Sequence, residues 1–459
     1  MTSVSEPFDF QPAAAALRAA LGALAELGDA GGGAVASARR REALAAYPLR
    51  AAATRVRLRG WRHDYARLRF EELAWSTGRM RVPALPPERP RATRARDPAD
   101  DEPPSLAVAN AGGVVHLGAV YLQPQMRHGD PRVVLESLAD ARRTRPSAID
   151  AVLGALVRFD ADPFVALATA FQNAGVSVEI PDGVIVDAPL QLVWAARPGE
   201  TSAVFAQTVV RVGRGARATI VERHLEDRDA FTCGTVEIEL AEGASLEYVA
   251  IQNADDGARI AVRRAARLGA GARLGWHVAD LGGALARTVL ESTLAGAGAE
   301  ARANVAGFAS GFTNIDHAIA TTHAARAASH AVVRTLALDR ARARFASTIR
   351  AAAAAEGGAA SLHADVLAIG RDAAVAARPV FAVATPGFGL VQSASVGSLD
   401  REQLFYVRSR GVPLRAAERM IALAFFEPAL AGLPTEDLRD EIRTALDERL
   451  DEIPETFMT

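Results

Sequence analysis

A Gly-Ala pair flanked by alternating apolar and polar residues returns at Gly215-Ala216, Gly243-Ala244, Gly271-Ala272 and Gly298-Ala299, at intervals of 28, 28 and 27 residues. Short strand-like segments punctuated by glycine at a period of this size describe coils that stack into one continuous core. Glycine supplies the tight corner, and alanine fits a crowded interior. A run of helices leaves the alternation unexplained, and a β-sandwich needs no equal periods. The expected fold is mainly β with helical ends, its core a right-handed parallel β-helix with coils about 4.8 Å apart. Weaker repeats carry it through Asp372-Ala373-Ala374 to about residue 397.

The rest of the chain divides around this core. Residues 1–82 read as a helical region, with Ala/Leu/Arg stretches at helical spacing interrupted by Gly31-Gly32-Gly33. Residues 83–104 carry Pro83, Pro86, Pro87, Pro90, Pro98, Pro103 and Pro104, which bar a helix or a central strand and mark a linker. Residues 105–175 form a mixed lead-in with helices over about 131–175, where Asp130 and Asp162 stand just before prolines suited to a first helical turn. The β-helix core is expected over 176–399. Residues 400–459 return to helix: Asp400 caps one, Gly411 stops it, Pro413 starts a second, and Thr435 caps a third whose alternating charges suit a solvated face.

Composition removes several function classes. All 52 basic residues are arginine, so the chain has no lysine for a Walker A loop or for Schiff-base catalysis. A net charge of −2 offers no global attraction for nucleic acid. The start MTSVSEPFDFQP lacks a signal-peptide pattern and no stretch is apolar enough to span a membrane, so the expected setting is the cytoplasm, with no membrane partner. Cys233 is the only cysteine, which excludes an internal disulfide and a thiolate metal cage within the chain.

The side chains that most often carry chemistry give weak patterns. His317, His323 and His330 are separated by six and seven residues, unlike two ligands on one helix face, and read as hydrogen-bonded coil residues. Cys233 starts a strand and reads as a small buried hydrophobe. A β-helix enzyme acting on carbohydrate would need convergent carboxylates; Asp255-Asp256 has no visible partner, and Glu226-Asp227-Arg228-Asp229 reads as a solvated loop.

SVGSLDREQLFYVRSRGV, residues 395–412, resembles the G-x-[IL]-D-x-[ED]-Q-[IL]-F-Y-x-x-S-R-G-[IV] stretch of the SufB/SufD family of iron–sulfur cluster assembly proteins, and resembles its SufD branch most. Other segments agree in order: Gly60-Trp61-Arg62-His63, the run from Pro163 to Leu192, Arg287 with Leu294-Ala295-Gly296, Asp316-His317 with Thr322-His323, then Ser329, Arg334 and Phe345. The resemblance covers about residues 38 to 430.

It implies a scaffold subunit rather than an enzyme, pairing with a SufB-like subunit and with a SufC-like ABC-type ATPase that hydrolyses ATP. No cofactor is expected on this chain alone; a transient iron–sulfur cluster belongs to a partner interface. The resemblance places the ATPase contact in the C-terminal helices, which makes Phe405, Tyr406, Arg408 and Arg410 the partner-binding candidates, with Phe405 expected in the core and the arginines exposed. Relatives carry C-S-H-G-A-T-V-G before the Phe-Tyr stretch. Counting back from Gly397 puts Leu390 at the Cys and Gln392 at the His, and an amide does not replace imidazole as an iron ligand or proton relay. The alternatives are the carbohydrate-active β-helix and a SufD paralogue acting as a homodimer.

Overall fold

The computed structural model of the chain describes residues 38–43, 45–46, 112–117, 120–126, 130–195, 203–225, 230–370 and 372–453, with backbone alone over 112–126. The Pro-rich segment, Gly60 to His63, Glu226 to Asp229 and most of the N-terminal helical region lie outside the described residues. Those described at 38–43 and 45–46 are helical.

From residue 174 onward, successive strands alternate between two sheets of ten and nine strands, forming a parallel β-solenoid of about eight turns. Register is kept from coil to coil: Ile220, Tyr248, Trp276, Ala303, Ala331, Leu362 and Gln392 stack in one inward-facing column. A second column runs Ala218, Leu246, Leu274, Ala301, Ser329, Ala360 and Leu390. A strand turned by one residue would point its polar set inward, so the alternation itself pins the register.

The repeated Gly-Ala pairs are the corners between the sheets. Gly215, Gly243, Gly271 and Gly298 have φ of +62°, +66°, +61° and +72°, a region that costs other L-residues about 1–2 kcal/mol. Each donates its N–H to a carbonyl of the following coil, at 2.9, 2.8, 2.9 and 2.8 Å, so the corners form a ladder of their own. Ala216, Ala244, Ala272 and Ala299 beside them are wholly buried.

Parallel strands need cover on both faces, and the helices provide it over part of the length. On the outside of the nine-stranded sheet, α1 (Leu138–Thr144), α2 (Pro146–Val152) and α3 (Pro163–Ala170) cover the early coils, where Phe164, Ala166 and Leu167 pack with Phe205, Phe231 and Cys233. Asp162 caps α3 by accepting from the Val165 N–H at 3.0 Å and also holds Arg263 and Arg287 at 3.0 and 3.1 Å. Three further helices follow the solenoid: α4 (Arg401–Ser409), α5 (Leu414–Leu430) and α6 (Glu436–Asp451). Helices α5 and α6 lie on the outside of the ten-stranded sheet, where Phe426, Leu438, Ile442 and Leu446 pack on Val249, Ile251 and Phe308. Arg449 ties α6 back to an early corner, donating to Asn253 Oδ1 at 3.0 Å and to the Ala254 carbonyl at 2.8 Å.

The lead-in differs from the sequence reading at one point. Residues expected to begin a helix at about 131 instead form a strand, Val134–Ser137, antiparallel to Ala174–Ile180, and the helix starts only at Leu138. Pairing at the sheet edge overrides the helix propensity of a Leu/Glu-containing run. Asp130 does not cap a helix; its carboxylate turns to Arg132.

Candidate functional site

The last coil is built from Ala374–Val383 and Gly389–Gly397, each the outermost strand of its sheet. Among the described residues each therefore has one edge with no ladder partner, an arrangement that templates pairing with another chain. Several apolar side chains on these strands are open to solvent, beside exposed Arg378, Ser393 and Ser395: Phe381 is 61 % exposed, and Val380, Val391 and Val396 are exposed with it. The period also changes here, since the column steps from Ala331 to Leu362 to Gln392 span 31 and 30 residues, with the 3-10 turn Ala353–Ala355 filling the longer corner.

Leu390 and Gln392 both stand on the inward face of this coil. Leu390 is half-buried against the solenoid core. Gln392 ends a column of mostly apolar side chains, and both its Oε1 and its Nε2 are buried without a hydrogen-bond partner among the described residues. A buried amide left unpaired costs about 1–3 kcal/mol, so this end of the chain is incomplete in isolation.

Phe405, Tyr406, Arg408 and Arg410 come together on and just after α4. Asp400 caps this helix through the Glu402 and Gln403 N–H groups, at 2.8 and 3.3 Å, and Gly411 closes it at φ +89°. None of its residues is buried. Phe405, expected in the core, is instead 75 % exposed, because among the described residues α4 packs on α5 without a second layer over its other face. Tyr406 is exposed too, with the Arg410 guanidinium 5.2 Å from its ring centre, and Arg408 and Arg410 are exposed as expected.

His317 and several residues that the sequence reading passed over, among them Glu222, Arg264 and Asp280, form a charged chain inside the solenoid. Glu222 lies on the inward face and accepts from Arg264 at 2.7 and 2.9 Å, Tyr248 at 3.0 Å and Trp194 at 3.2 Å, with His224 at 3.3 Å. Burial pushes its carboxyl up, but Arg264 and His224 outweigh that and hold it well below the usual carboxylate range. Asp280, two coils on, accepts from Thr288 at 2.9 Å and pairs with His317 at 2.8 Å. Burial again opposes ionisation, and His317 and Arg264 win, lowering the carboxyl. Gly307 makes room for His317, since a Cβ there would lie 2.7 Å from the ring. The visible signal was phase: each of these charged residues sits where the alternation calls for an apolar one.

The three histidines do not converge. His317 and His323 share the inward face of Asn314–His323, whereas His330 points outward from the next strand. Burial lowers His323 to about 4 and it meets Ser329 Oγ at 2.9 Å. Among the described residues no three His, Cys, Asp or Glu side chains gather as a metal site. Cys233 is buried, its thiol donating to the Phe164 carbonyl at 2.8 Å and its pKa raised by burial. Asp256 faces Arg449 at 3.3 Å rather than a second carboxylate.

The sequence has counterparts in known proteins. Residues 195–425 match the family model described as SUF system FeS cluster assembly, SufBD core domain, and residues 117–192 match that of the SufBD protein N-terminal region. The chain belongs to the SufBD family. An iron–sulfur cluster assembly SufBD family protein of Staphylococcus saprophyticus is 23 % identical over 321 residues, 69 % of each chain. The iron–sulfur cluster assembly protein SufD of Bacillus subtilis is 25 % identical over 64 % of this chain and 68 % of its own, and SufB of the same organism 24 % over 60 % and 59 %. The SufBD core match takes in the open coil and α4 and stops within α5. SufBD proteins are scaffold components of iron–sulfur assembly, and this chain is a SufBD protein of that system. Among the described residues no helix is long and apolar enough to cross a membrane.

Proposed function

We propose that this chain is a SufD-like scaffold subunit, working in the cytoplasm, that pairs with a SufB-like subunit through its open last coil and with a SufC-like ATPase through α4. The observation that carries the reading is the unfinished end: two edge strands, exposed apolar side chains and an unpaired buried amide on one coil. Phe405, Tyr406, Arg408 and Arg410 supply the aromatic and guanidinium groups that dominate protein interfaces. ATP hydrolysis falls to the partner, consistent with a chain that has no lysine.

An iron–sulfur cluster is cargo at the partner interface in this reading, and Leu390 and Gln392 do not ligate it. Co-purification with SufB-like and SufC-like proteins from the same source, followed by native mass measurement, tests the proposal. A complex containing all three chains is expected; a chain that stays alone, or that forms only its own dimer, overturns it. Gln392→His is expected to leave the complex intact and cluster yield equal or higher. Collapse of the complex would show that Gln392 acts as an interface contact rather than as a silent substitution.

A further inference from the structure

Three basic side chains converge on the outside of the ten-stranded sheet, beside the area covered by α5 and α6. Arg302 is the ladder partner of His330, and His330 is that of Ser361. His363 lies diagonally across from His330, ring centres 6.1 Å apart, and its own ladder partner is Ser393. Arg302, His330, His363 and Ser393 are exposed, and Ser361 is half-exposed. They stand on four successive strands of one ladder, so the spacing of the groups is set by the coil repeat rather than by a flexible loop.

Neighbouring charges are already engaged. Glu300, two positions before Arg302, lies 3.6 Å from Arg273. Asp365, two positions after His363, is held by Arg334 and Ser395. Glu247, across Gly275 from Arg302, meets His277 at 2.7 Å. On α5, Glu427 and Arg419 pair with Arg443 and Asp447, and Glu418 faces the charge of Arg408. His330 Nδ1 meets Ser361 Oγ at 2.7 Å, while Arg302 and His363 have no hydrogen-bond or ion-pair partner among the described residues. Burial, His363 and Arg302 together push the His330 pKa down.

The cluster thus gathers a guanidinium, two imidazoles and two hydroxyls, and among the described residues no carboxylate is in ion-pair reach of either ring. A divalent cation fits it poorly: two nitrogen ligands are too few for a closed site, and a guanidinium stands beside them. An anion answers each feature, since it takes charge-assisted hydrogen bonds from Arg302 and relieves the repulsion that keeps His330 neutral. We propose that Arg302, His330 and His363, with Ser361 and Ser393, bind a doubly charged oxyanion of the sulfate or phosphate class on the outer face of the late coils. Its outermost residue, Ser393, stands on the open last coil proposed above as a partner surface, while Arg302, His330, Ser361 and His363 lie on earlier strands.

Sulfate is the suitable probe because its charge does not change between about pH 5.5 and 8, so any pH dependence comes from the protein. Histidine ring resonances of the full-length chain are followed as sulfate replaces chloride at constant ionic strength. The two rings are expected to shift saturably and take up protons. Affinity is greatest where the imidazoles are already protonated and falls as pH rises, by up to about tenfold per pH unit for each proton taken up. Arg302→Gln is expected to weaken binding about tenfold or more with an unchanged far-ultraviolet circular dichroism spectrum. His330→Gln with His363→Gln is expected to remove the pH dependence. Rings that ignore sulfate, respond equally to chloride, or respond to Zn²⁺ but not to sulfate overturn the proposal.

Discussion

At the amino-terminal end of the solenoid, Val134–Ser137 runs antiparallel to Ala174–Ile180, the hairpin Gly112–Leu117 and Val120–Met126 finishes the other sheet, and three helices lie over the early coils. At the carboxyl-terminal end the two last strands stay parallel to their neighbours and carry exposed Phe381, Val391 and Val396. Two buried polar groups differ in the same sense: Glu222, in the earlier coils, accepts from Arg264, Tyr248 and Trp194, and the Gln392 amide, in the last, has no partner among the described residues, although Arg264 Nη1 is also left unpaired. A stacked-coil protein must cap both ends or leave one for another chain, and here the antiparallel strands and helices do the first while the bare coil does the second.

The difference can be broken most severely in the earlier coils. Glu222→Ala leaves Arg264 buried without its counter-charge and is expected to destabilise the fold by about 3–5 kcal/mol in chemical denaturation. Because the folded carboxyls of Glu222 and Asp280 are depressed, the stability they contribute is present above the ordinary carboxyl range, about pH 4, and is lost as pH falls below it. Denaturation midpoints should therefore hold between about pH 7 and 5 and drop steeply in more acid solution; a midpoint independent of pH down to about 3 would sink this account.

At the partner-facing end the expected effects move from stability to association. Phe405→Ala should change the unfolding midpoint little, since the ring is largely in solvent, yet weaken capture of the SufC-like partner by about 2 kcal/mol if it is an anchor of that surface. A lower midpoint with unchanged capture would assign Phe405 to packing instead. The smallest effect sharpens the contrast between the two interiors: Gln392→Leu removes an unpaired amide and extends the apolar column, and should stabilise the isolated chain by about 1 kcal/mol in the same denaturation experiment. If it destabilises, the amide has a partner in solution.

Much of the solenoid was legible because its corners repeat. Gly215, Gly243, Gly271 and Gly298 all take the positive φ that a tight corner demands, and their alanine neighbours are buried, as the spacing alone implied. Helix boundaries that rest on a cap were legible too: Asp162, Asp400 and Thr435 each accept backbone N–H groups where the sequence put them. The strand at Val134–Ser137 was not, because its four residues are short of a recognisable period and are held by an edge 40 positions away in Ala174–Ile180. Nor was the exposure of Phe405, since an aromatic residue in a short amphipathic helix looks the same whether or not another layer covers it.

Local chemistry therefore determined the coil repeat, the turn positions, the helix caps and the absence of lysine-dependent catalysis, for each depends on residues within a few positions of one another. The SufBD motif at residues 395–412 belongs with these, as a pattern read along the chain. Only the stacking of coils decided what meets across the interior and along the outer faces: Glu222 with Arg264, Asp280 with His317, Arg302 with His330, and His330 with His363. Those pairs are about one coil or more apart in sequence and a single strand spacing or side-chain reach apart in space. The same stacking left the last coil open, which places Gln392 and the exposed edge strands at the surface proposed for a partner.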